Sequence, residues 1–155
     1  MDRLNQKKLS LTDIKKIPFF YDMSDTDLTI LSDYLTIREQ DKLRYIFKEG
    51  DAPAGMYFVL EGLAKVVKRV DNDIEVTLEE ISSPQFFGEI SLIESRRRGA
   101  SVVTLSKFKA VELTCENFHV LKEYYPQIAL NIVVKIAHTL AFKLRKLTNE
   151  TKGTI

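Results

Sequence analysis

The chain has 155 residues and a formal net charge of +1, with 23 lysine and arginine residues against 22 aspartate and glutamate residues. This length suits one domain that buries roughly two thirds of its unfolded surface, and the balanced charge gives no indication of a nucleic-acid surface. The single cysteine, Cys115, excludes an intramolecular disulfide and is expected to pack as a small apolar side chain. Met1 to Ser10 lacks a secretory hydrophobic region, and we find no apolar run near the ~20 residues that span a bilayer, so we expect a cytoplasmic protein without a membrane segment.

The first part of the chain, about residues 11–35, is predicted to be helical. Leu11 to Phe20 favours a short helix that ends before Pro18. Ser24 has the character of a helix N-cap, with an acidic residue three positions later. An amphipathic helix over residues 24–35 is therefore predicted, with apolar positions at helical spacing: Leu28, Leu31 and Leu35.

From Thr36 to about residue 114 the pattern changes to short strands separated by turns. Leu43–Phe47 is rich in β-forming residues, and apolar and polar residues alternate from Ile74 to Glu79. Further predicted strands are Met56–Leu60, Leu63–Val70, Ser101–Leu105 and Ala110–Leu113. Several short strands at this spacing predict a β-sandwich or roll.

Two helices are predicted after the strands, over about residues 116–147. Thr114 is a possible cap for the first helix, Glu116–Tyr124, and Pro126 suits the first turn of the second, which runs to about Leu147. The second helix has two apolar sides, so we expect one side to cover the roll and the other to meet a second subunit or cap a ligand. The apolar positions are Ile128, Ile132, Val133, Ile136, Leu140, Leu144 and Leu147 on one stripe, with Leu130, Val134, Ala137 and Ala141 beside it.

The residues after this helix and the two histidines bear on possible partners. We expect a homodimer through the helix Pro126–Leu147. Thr148 to Ile155 is too short for a helix-turn-helix unit, so no DNA-binding domain is expected in this chain. His119 and His138 are isolated and have no metal-ligand spacing, so no metal site is predicted.

The stretch from Phe86 to Val102 has the features of a pocket for a small phosphate-containing ligand. A strand is predicted to end at Phe87, and Gly88 permits a tight turn or a close backbone approach. Glu89 to Glu94 is long enough for one or two helical turns, whose first amide N–H groups favour an anion. Arg98 follows, and its planar guanidinium is suited to bind a phosphate with two parallel hydrogen bonds.

Phe87-Gly88-Glu89-Ile90-Ser91-Leu92, followed by Arg98, Ala100, Ser101 and Val102, resembles the phosphate-binding cassette of cyclic nucleotide-binding domains. That family includes the catabolite activator protein and the regulatory subunits of cAMP-dependent protein kinase. The resemblance implies that Glu89 accepts a hydrogen bond from the ribose 2′-hydroxyl and that Arg98 neutralises the cyclic phosphate. It also implies that backbone amides approach the ligand at Gly88, Ile90, Ser91 and Ala100.

The resemblance covers most of the chain, from about Ile17 to Leu147, and includes Ile46–Asp51 and Met56–Gly62. It implies an α+β fold: an antiparallel, jelly-roll-like β-roll flanked by N-terminal helices and a C-terminal helix pair, with a turn at Gly62. We expect residues 1–155 to form one such domain. Its expected function is that of a regulatory sensor that binds a cyclic nucleotide and needs no cofactor.

One departure from the family pattern bears on ligand choice. Gly99 follows the arginine, where family members usually carry alanine, serine or threonine, and a hydroxyl there can meet the guanine 2-amino group. The resemblance therefore implies cAMP in preference to cGMP, although the Ser101 hydroxyl lies two residues further along a strand and can face the same side.

Two other interpretations of the motif residues and two other functions remain beside the sensor. Glu89 can merely complement a helix dipole, and Arg96 to Arg98 can be a solvated basic turn. A protein with the same fold that no longer binds a nucleotide is the second function. An enzyme has little support, because no cysteine–histidine or serine–histidine arrangement is suggested.

Overall fold

The computed structural model describes residues 7–152, and most of the polar N-terminal start lies outside them. Within the described residues, α1 spans Leu11–Ile14, a 3-10 turn spans Pro18–Phe20 and α2 spans Asp25–Ser32. Helix α1 ends before Pro18 as predicted, and Pro18, which has no amide N–H, begins the separate 3-10 turn. Ser24 caps α2 as predicted, since its Oγ accepts a hydrogen bond from the Asp27 amide at 3.2 Å.

In the described part of the chain, eight strands form two antiparallel four-stranded sheets, in the orders β1-β8-β3-β6 and β2-β7-β4-β5. This arrangement confirms the predicted α+β fold with an antiparallel β-roll. The strand expected at Leu43–Phe47 begins two residues later, because Leu43 has a φ of +60°, which no extended strand accommodates. The strands are β1 Thr36–Gln40, β2 Tyr45–Phe47, β3 Gly55–Glu61, β4 Leu63–Asp71, β5 Ile74–Ser82, β6 Phe86–Phe87, β7 Ser101–Thr104 and β8 Phe108–Thr114.

The two faces of the first sheet have different roles. On one face, Phe58 packs against Phe19 and Phe20 with ring centroids 4.9 Å apart in both pairs, so the N-terminal segment covers this face. Side chains on the other face form the apolar core of the roll together with residues of the second sheet. That core consists of Tyr57, Val59, Ala64, Ile81, Phe87, Val102, Phe108 and Ala110, with Ile46, Phe47 and Val66 packed against it.

The chain forms two compact units, one that ends at Phe118 and one that begins at His119. The expectation of one domain over residues 1–155 therefore remains a prediction. Helix α4 spans Cys115–Tyr124 and α5 spans Pro126–Lys152. The predicted helix starts agree with the structure: Thr114 Oγ1 accepts from the Asn117 amide at 3.0 Å, and Pro126 is the first residue of α5.

Helix α5 has a buried side and an exposed apolar side. Its buried apolar residues are Ile128, Ala129, Ile132 and Ile136, and its exposed ones include Leu130, Val134, Phe142, Leu144 and Leu147. By length and composition alone Pro126–Glu150 is apolar enough to cross a membrane, so the expectation that no segment approaches this length is wrong. The sequence analysis missed it because Lys135 and His138 interrupt the run. A single helix of this kind is weak evidence for a membrane segment, although only 22% of its most apolar window is buried.

The predicted turn at Gly62 gives the first test. Gly62 has a φ of +93°, and a Cβ there would lie 2.2 Å from the Lys107 carbonyl oxygen, whereas Gly50 has a φ of +88° and open space around the same position. Gly50→Ala should therefore lower the free energy of unfolding by about 1–2 kcal/mol, the cost of a left-handed alanine. Gly62→Ala should lower the free energy of unfolding, measured in urea, by at least twice as much as Gly50→Ala. The clash with the Lys107 carbonyl oxygen adds to the same backbone cost. Equal losses in the two variants would contradict the steric argument.

Candidate ligand-binding site

Gly88 stands at the turn between β6 and the short helix α3, which spans Ile90–Ile93. Its φ is +76°, a left-handed conformation that favours glycine. A Cβ at this position would lie 2.9 Å from the Gly55 carbonyl oxygen and 3.0 Å from Arg98 Nη1. Both the backbone conformation and the close approach of Arg98 therefore require glycine here.

The backbone at Arg98 is anchored to the loop between β2 and β3. The Arg98 amide donates to the Asp51 carbonyl and the Gly50 amide donates to the Arg98 carbonyl, both at 2.8 Å. Arg97 Nη1 also donates to the Gly50 carbonyl at 2.8 Å while its side chain stays at the surface. These three hydrogen bonds thus fix where the arginine side chain leaves the backbone.

The Arg98 side chain turns inward and is only 7% exposed. Nη1 donates to the Gly88 carbonyl at 3.1 Å and Nη2 to the Gly55 carbonyl at 2.7 Å. The guanidinium lies over the Phe47 ring, 3.8 Å from the ring centroid, in a cation–π contact. Arg98 is therefore not part of a solvated basic turn, in contrast to Arg96, which is exposed beside Glu94.

One donor of this guanidinium has no acceptor. Arg98 Nε is buried and makes no hydrogen bond, and an unmade bond of this kind costs about 1–3 kcal/mol. Burial lowers the pKa of Arg98 from its usual range, and the electrostatic effects of Tyr57, Cys115, Asp51 and Glu112 oppose that shift. A buried cation with a free N–H favours an anion beside it, since an ionised acceptor gives the strongest hydrogen bond.

Glu89 is buried within the same turn, with 7% of its surface exposed. It occupies the N-cap position of α3, but its side chain makes no capping hydrogen bond, so complementing the end of that helix does not account for it. Within the described residues no hydrogen bond or ion pair to its carboxylate is found. Its oxygens are not among the buried side-chain atoms that lack a partner, so they stay open to a donor from solvent or from a ligand.

The remaining predicted site residues differ in their placement. Ser91 is buried and its amide donates to the Gly88 carbonyl at 3.3 Å, so that amide is used within the turn. Ile90 and Gly99 are exposed and Ala100 is half-buried. Ser101 Oγ accepts from the Glu49 amide at 2.8 Å, while the neighbouring Val102 faces the roll core. The structure thus brings Gly88, Glu89 and Arg98 together, and it places the Ser101 hydroxyl on the other face of β7.

A cavity of about 650 Å³ lies on that other face and is lined by Ser101 but by none of the other predicted site residues. Its lining carries two cationic side chains, Lys48 and Arg69, against three carboxylates, Glu49, Asp71 and Glu75. The local charge is therefore negative, which disfavours a phosphate. We therefore place the candidate site at Arg98 and not in the cavity beside Ser101.

The sequence analysis missed several residues that build the site. Phe47 and Gly55 hold the Arg98 guanidinium, but both come from strands that lie more than 40 positions away in sequence, and no local motif marks them. Glu112 was also missed. Its signal is a lone carboxylate within an apolar stretch of β8, between Val111 and Leu113.

Glu112 belongs to a polar group beside the aromatic core. Arg38 Nε donates to Glu112 Oε2 at 2.8 Å, and Tyr57 faces Glu112 across the β8–β3 pair. Burial, together with the Glu112 charge, raises the pKa of Tyr57 to about 12. The Tyr57 ring stacks on Phe87 with centroids 5.1 Å apart, so this polar group adjoins the turn at Gly88.

Comparison with known families identifies the domain that contains this turn. The sequence profile described as "Cyclic nucleotide-binding domain" matches residues 38–125, which is more than half of the chain. The chain belongs to the cyclic nucleotide-binding domain family. The match includes the turn at Gly88, Arg98 and both sheets of the roll.

The relatives of this cyclic nucleotide-binding domain include regulatory proteins of very different organisms. A cAMP-dependent protein kinase type II regulatory subunit from Drosophila melanogaster is 36% identical over 90 residues, which are 57% of this chain and 23% of that protein. The cyclic AMP receptor protein of Thermus thermophilus is 25% identical over 127 residues, 82% of this chain and 59% of that protein. The chain thus spans less than two thirds of the length of either relative.

The fold agrees with solved structures. A cyclic nucleotide-binding domain from Methylobacillus flagellatus superimposes with a TM-score of 0.78 at 21% identity, covering 94% of this chain and 82% of that one. At this identity the likeness supports the fold and not a shared ligand.

Proposed function

We propose that this domain is a cytoplasmic regulatory module, not an enzyme, that binds cAMP. The observation that carries the proposal is the buried Arg98 Nε–H, which has no acceptor. A cyclic nucleotide offers a singly charged phosphate to this donor, and its ribose hydroxyl can donate to the Glu89 carboxylate nearby. Arg98 Nε would then have a partner, which favours the bound state.

The phosphate would be held from one side of the guanidinium. Nη1 and Nη2 each use one N–H on a backbone carbonyl, of Gly88 and Gly55, and keep a second N–H. An anion that accepts from Nε–H and from the adjacent second N–H forms two parallel bonds without breaking the contacts that hold Arg98. The arginine is thus already oriented before a ligand arrives, which lowers the entropic cost of binding.

Ligand occupancy would be passed on through the first turn of α4. Cys115, the first residue of α4, donates from its thiol to the Ser91 carbonyl of α3 at 3.3 Å, and its amide donates to the Ala54 carbonyl at 2.9 Å. Ala54 precedes Gly55, whose carbonyl holds Arg98. A ligand that moves α3 or Arg98 therefore acts on residues hydrogen-bonded to α4. The signal requires only that the ligand bind two arrangements of these elements with different affinity.

A second candidate is a protein with this fold that binds no nucleotide. The observation that favours it is that Arg98 already has two carbonyl acceptors and an aromatic ring, which together account for a structural role. The two candidates differ in thermal unfolding with added cAMP. Ligand at one hundred times its dissociation constant stabilises a binding protein by about 2.7 kcal/mol.

The first binding prediction concerns Arg98 and Glu89. In calorimetric titration with cAMP, Arg98→Ala should cost about 2–5 kcal/mol of binding, because the phosphate loses its buried counter-charge. Glu89→Ala should cost less, since it loses a hydrogen bond to a neutral hydroxyl. Arg96→Ala is the matched control, because its exposed side chain lies outside the turn, and it should bind as the parent does.

Arg98 also holds backbone carbonyls, so each variant is first checked for cooperative unfolding in urea. If Arg98→Ala does not fold, Arg98→Lys replaces it; lysine keeps the charge but cannot form two parallel bonds, and it should bind measurably more weakly than the parent. An arginine variant that folds and binds cAMP within twofold of the parent would show that the phosphate site lies elsewhere.

The second binding prediction concerns the base. The Ser101 hydroxyl lies on the face of β7 opposite the roll core and Gly99 has no side chain, so neither supplies a partner for the guanine 2-amino group. A buried donor without a partner costs about 1–3 kcal/mol, and cAMP should therefore bind more tightly than cGMP in competition titrations. A Cβ at Gly99 meets nothing within 4 Å, so substitution there is sterically tolerated. Gly99→Thr should reduce the difference between the cAMP and cGMP affinities. Gly99→Ala adds no hydroxyl and should leave that difference unchanged. Equal or tighter cGMP binding by the parent would refute the preference.

We also propose that α5 pairs with its copy to form a homodimer. Exposed apolar residues recur at alternating spacings of four and three along its solvent side, which is the repeat of a two-stranded coiled coil. These positions are Leu130, Val134, Ala137, Ala141 and Leu144, all exposed. A helix with the same stripe in both subunits is a self-complementary surface, as an isologous dimer requires.

The dimer is tested by two matched substitutions. Val134→Asp places a charge on the stripe and should convert the dimer to monomer in light scattering at tens of micromolar, because the charge would be buried between helices. Phe142→Asp changes an equally apolar, exposed residue that lies off the stripe, and should leave the dimer intact. A parent that scatters as a monomer with and without cAMP removes the proposal, and co-sedimentation of the parent with lipid vesicles would instead assign α5 to a membrane.

A further inference from the structure

Only three charged side chains are buried among the described residues, and all of them belong to the unit that holds the candidate site. They are Glu89, Arg98 and Glu112. A fourth charge, Arg38, pairs with Glu112 at 2.8 Å, but its side chain is 43% exposed and so partly screened by solvent. The buried charges therefore sum to −1, and the half-exposed Arg38 brings the group to zero. An anionic ligand enters a site that is not positive as a whole.

Glu112 lies close enough to the turn at Gly88 for its charge to act there. It is 6% exposed and faces Tyr57 across the β8–β3 pair, and Tyr57 faces Phe87 across the β3–β6 pair. Phe87 directly precedes Gly88, whose carbonyl accepts from Arg98. Two strand spacings separate Glu112 from Phe87, which is about 10 Å. At that range in a poorly solvated interior, one unit charge changes the affinity for another by about tenfold.

The effect of Glu112 depends on how many charges the ligand carries. A cyclic phosphate is a diester with a single negative charge. A 5′-phosphomonoester loses a second proton with a pKa near 6 and carries between about −1.5 and −2 charges at pH 7. Glu112 repels the second ligand about twice as strongly in free energy as the first. Glu89 adds repulsion, but a substitution there also removes the proposed ribose contact.

We propose that Glu112 is a specificity-determining residue that admits singly charged phosphodiesters to the Arg98 site and disfavours doubly charged phosphomonoesters. This inference rests on the proposed function. The inference assigns a role to the buried Glu112 carboxylate, which makes none of the proposed ligand contacts. A phosphodiesterase reaction hydrolyses the singly charged cyclic ester to a doubly charged monoester, which Glu112 would disfavour. Arg38 acts in the opposite direction, because its positive charge offsets Glu112.

The test compares three ligands that share adenosine: cAMP, 5′-AMP and the 5′-methyl ester of AMP, which is open-chain but singly charged. Affinities are measured by calorimetric titration at pH 7.5 for the parent, Glu112→Gln and Arg38→Gln. Glutamine keeps an acceptor for Arg38, so Glu112→Gln removes the charge with little change in shape.

The ratio of the cAMP and 5′-AMP affinities is the quantity that decides. Glu112→Gln should lower that ratio by about tenfold and leave the ratio of cAMP to the methyl ester unchanged. Arg38→Gln should raise the cAMP to 5′-AMP ratio. A purely structural role would change all three affinities by one factor and leave both ratios constant.

The outcomes separate this inference from the function on which it rests. Tight binding of cAMP by the parent, with a cAMP to 5′-AMP ratio that moves less than twofold in Glu112→Gln, overturns the charge selection and leaves the proposed function standing. If Glu112→Gln fails to fold, the inference is tested by Arg38→Gln alone. A cAMP to 5′-AMP affinity ratio that is unchanged or lowered in Arg38→Gln overturns the inference. A parent that binds none of the three ligands overturns the proposed function, and this inference with it.

Discussion

The buried guanidinium of Arg98 is the interaction on which the arrangement of this site depends. Its hydrogen bonds to the Gly88 and Gly55 carbonyls tie the turn after β6 to the start of β3, and the Phe47 ring beneath it brings in β2. Gly88 must be a glycine because the arginine lies so close to it. A charge in this interior is tolerated only with such partners, so the surrounding backbone is shaped to supply them.

The same low-dielectric interior explains why the other charges matter. Glu89 and Glu112 are buried on the roll side, where screening by water is weak and each carboxylate acts over several ångströms. Arg38 holds the Glu112 carboxylate at 2.8 Å, and Tyr57, which faces Glu112 across the β8–β3 pair, stacks its ring on Phe87. The proposed site for a phosphate ester thus combines one cation and its contacts with carboxylates that would limit how much negative charge it accepts.

For helix α5, the apolar composition and the pattern of buried residues point to different surroundings. Its apolar content is high enough for a membrane span, yet part of its apolar surface is buried inside the protein and part is exposed. The exposed part follows a coiled-coil spacing, which a lipid-facing helix does not require. The spacing of the exposed residues therefore favours another helix as the partner of this surface over a lipid bilayer.

The sequence by itself determined the features that depend only on residues close together in the chain. The caps at Ser24 and Thr114, the start of α5 at Pro126, the positive φ of Gly62 and the identity of Gly88, Glu89 and Arg98 as a group all follow from local chemistry or a short motif. The tertiary structure alone decided which face each strand residue presents and what lies opposite it. Ser101 faces away from the site and Glu112 faces the interior because a strand alternates its side chains and the sheet register fixes the partner. Phe47 reaches Arg98 for the same reason: their contact joins positions far apart in the chain, and pairing between distant strands leaves no mark in the local sequence.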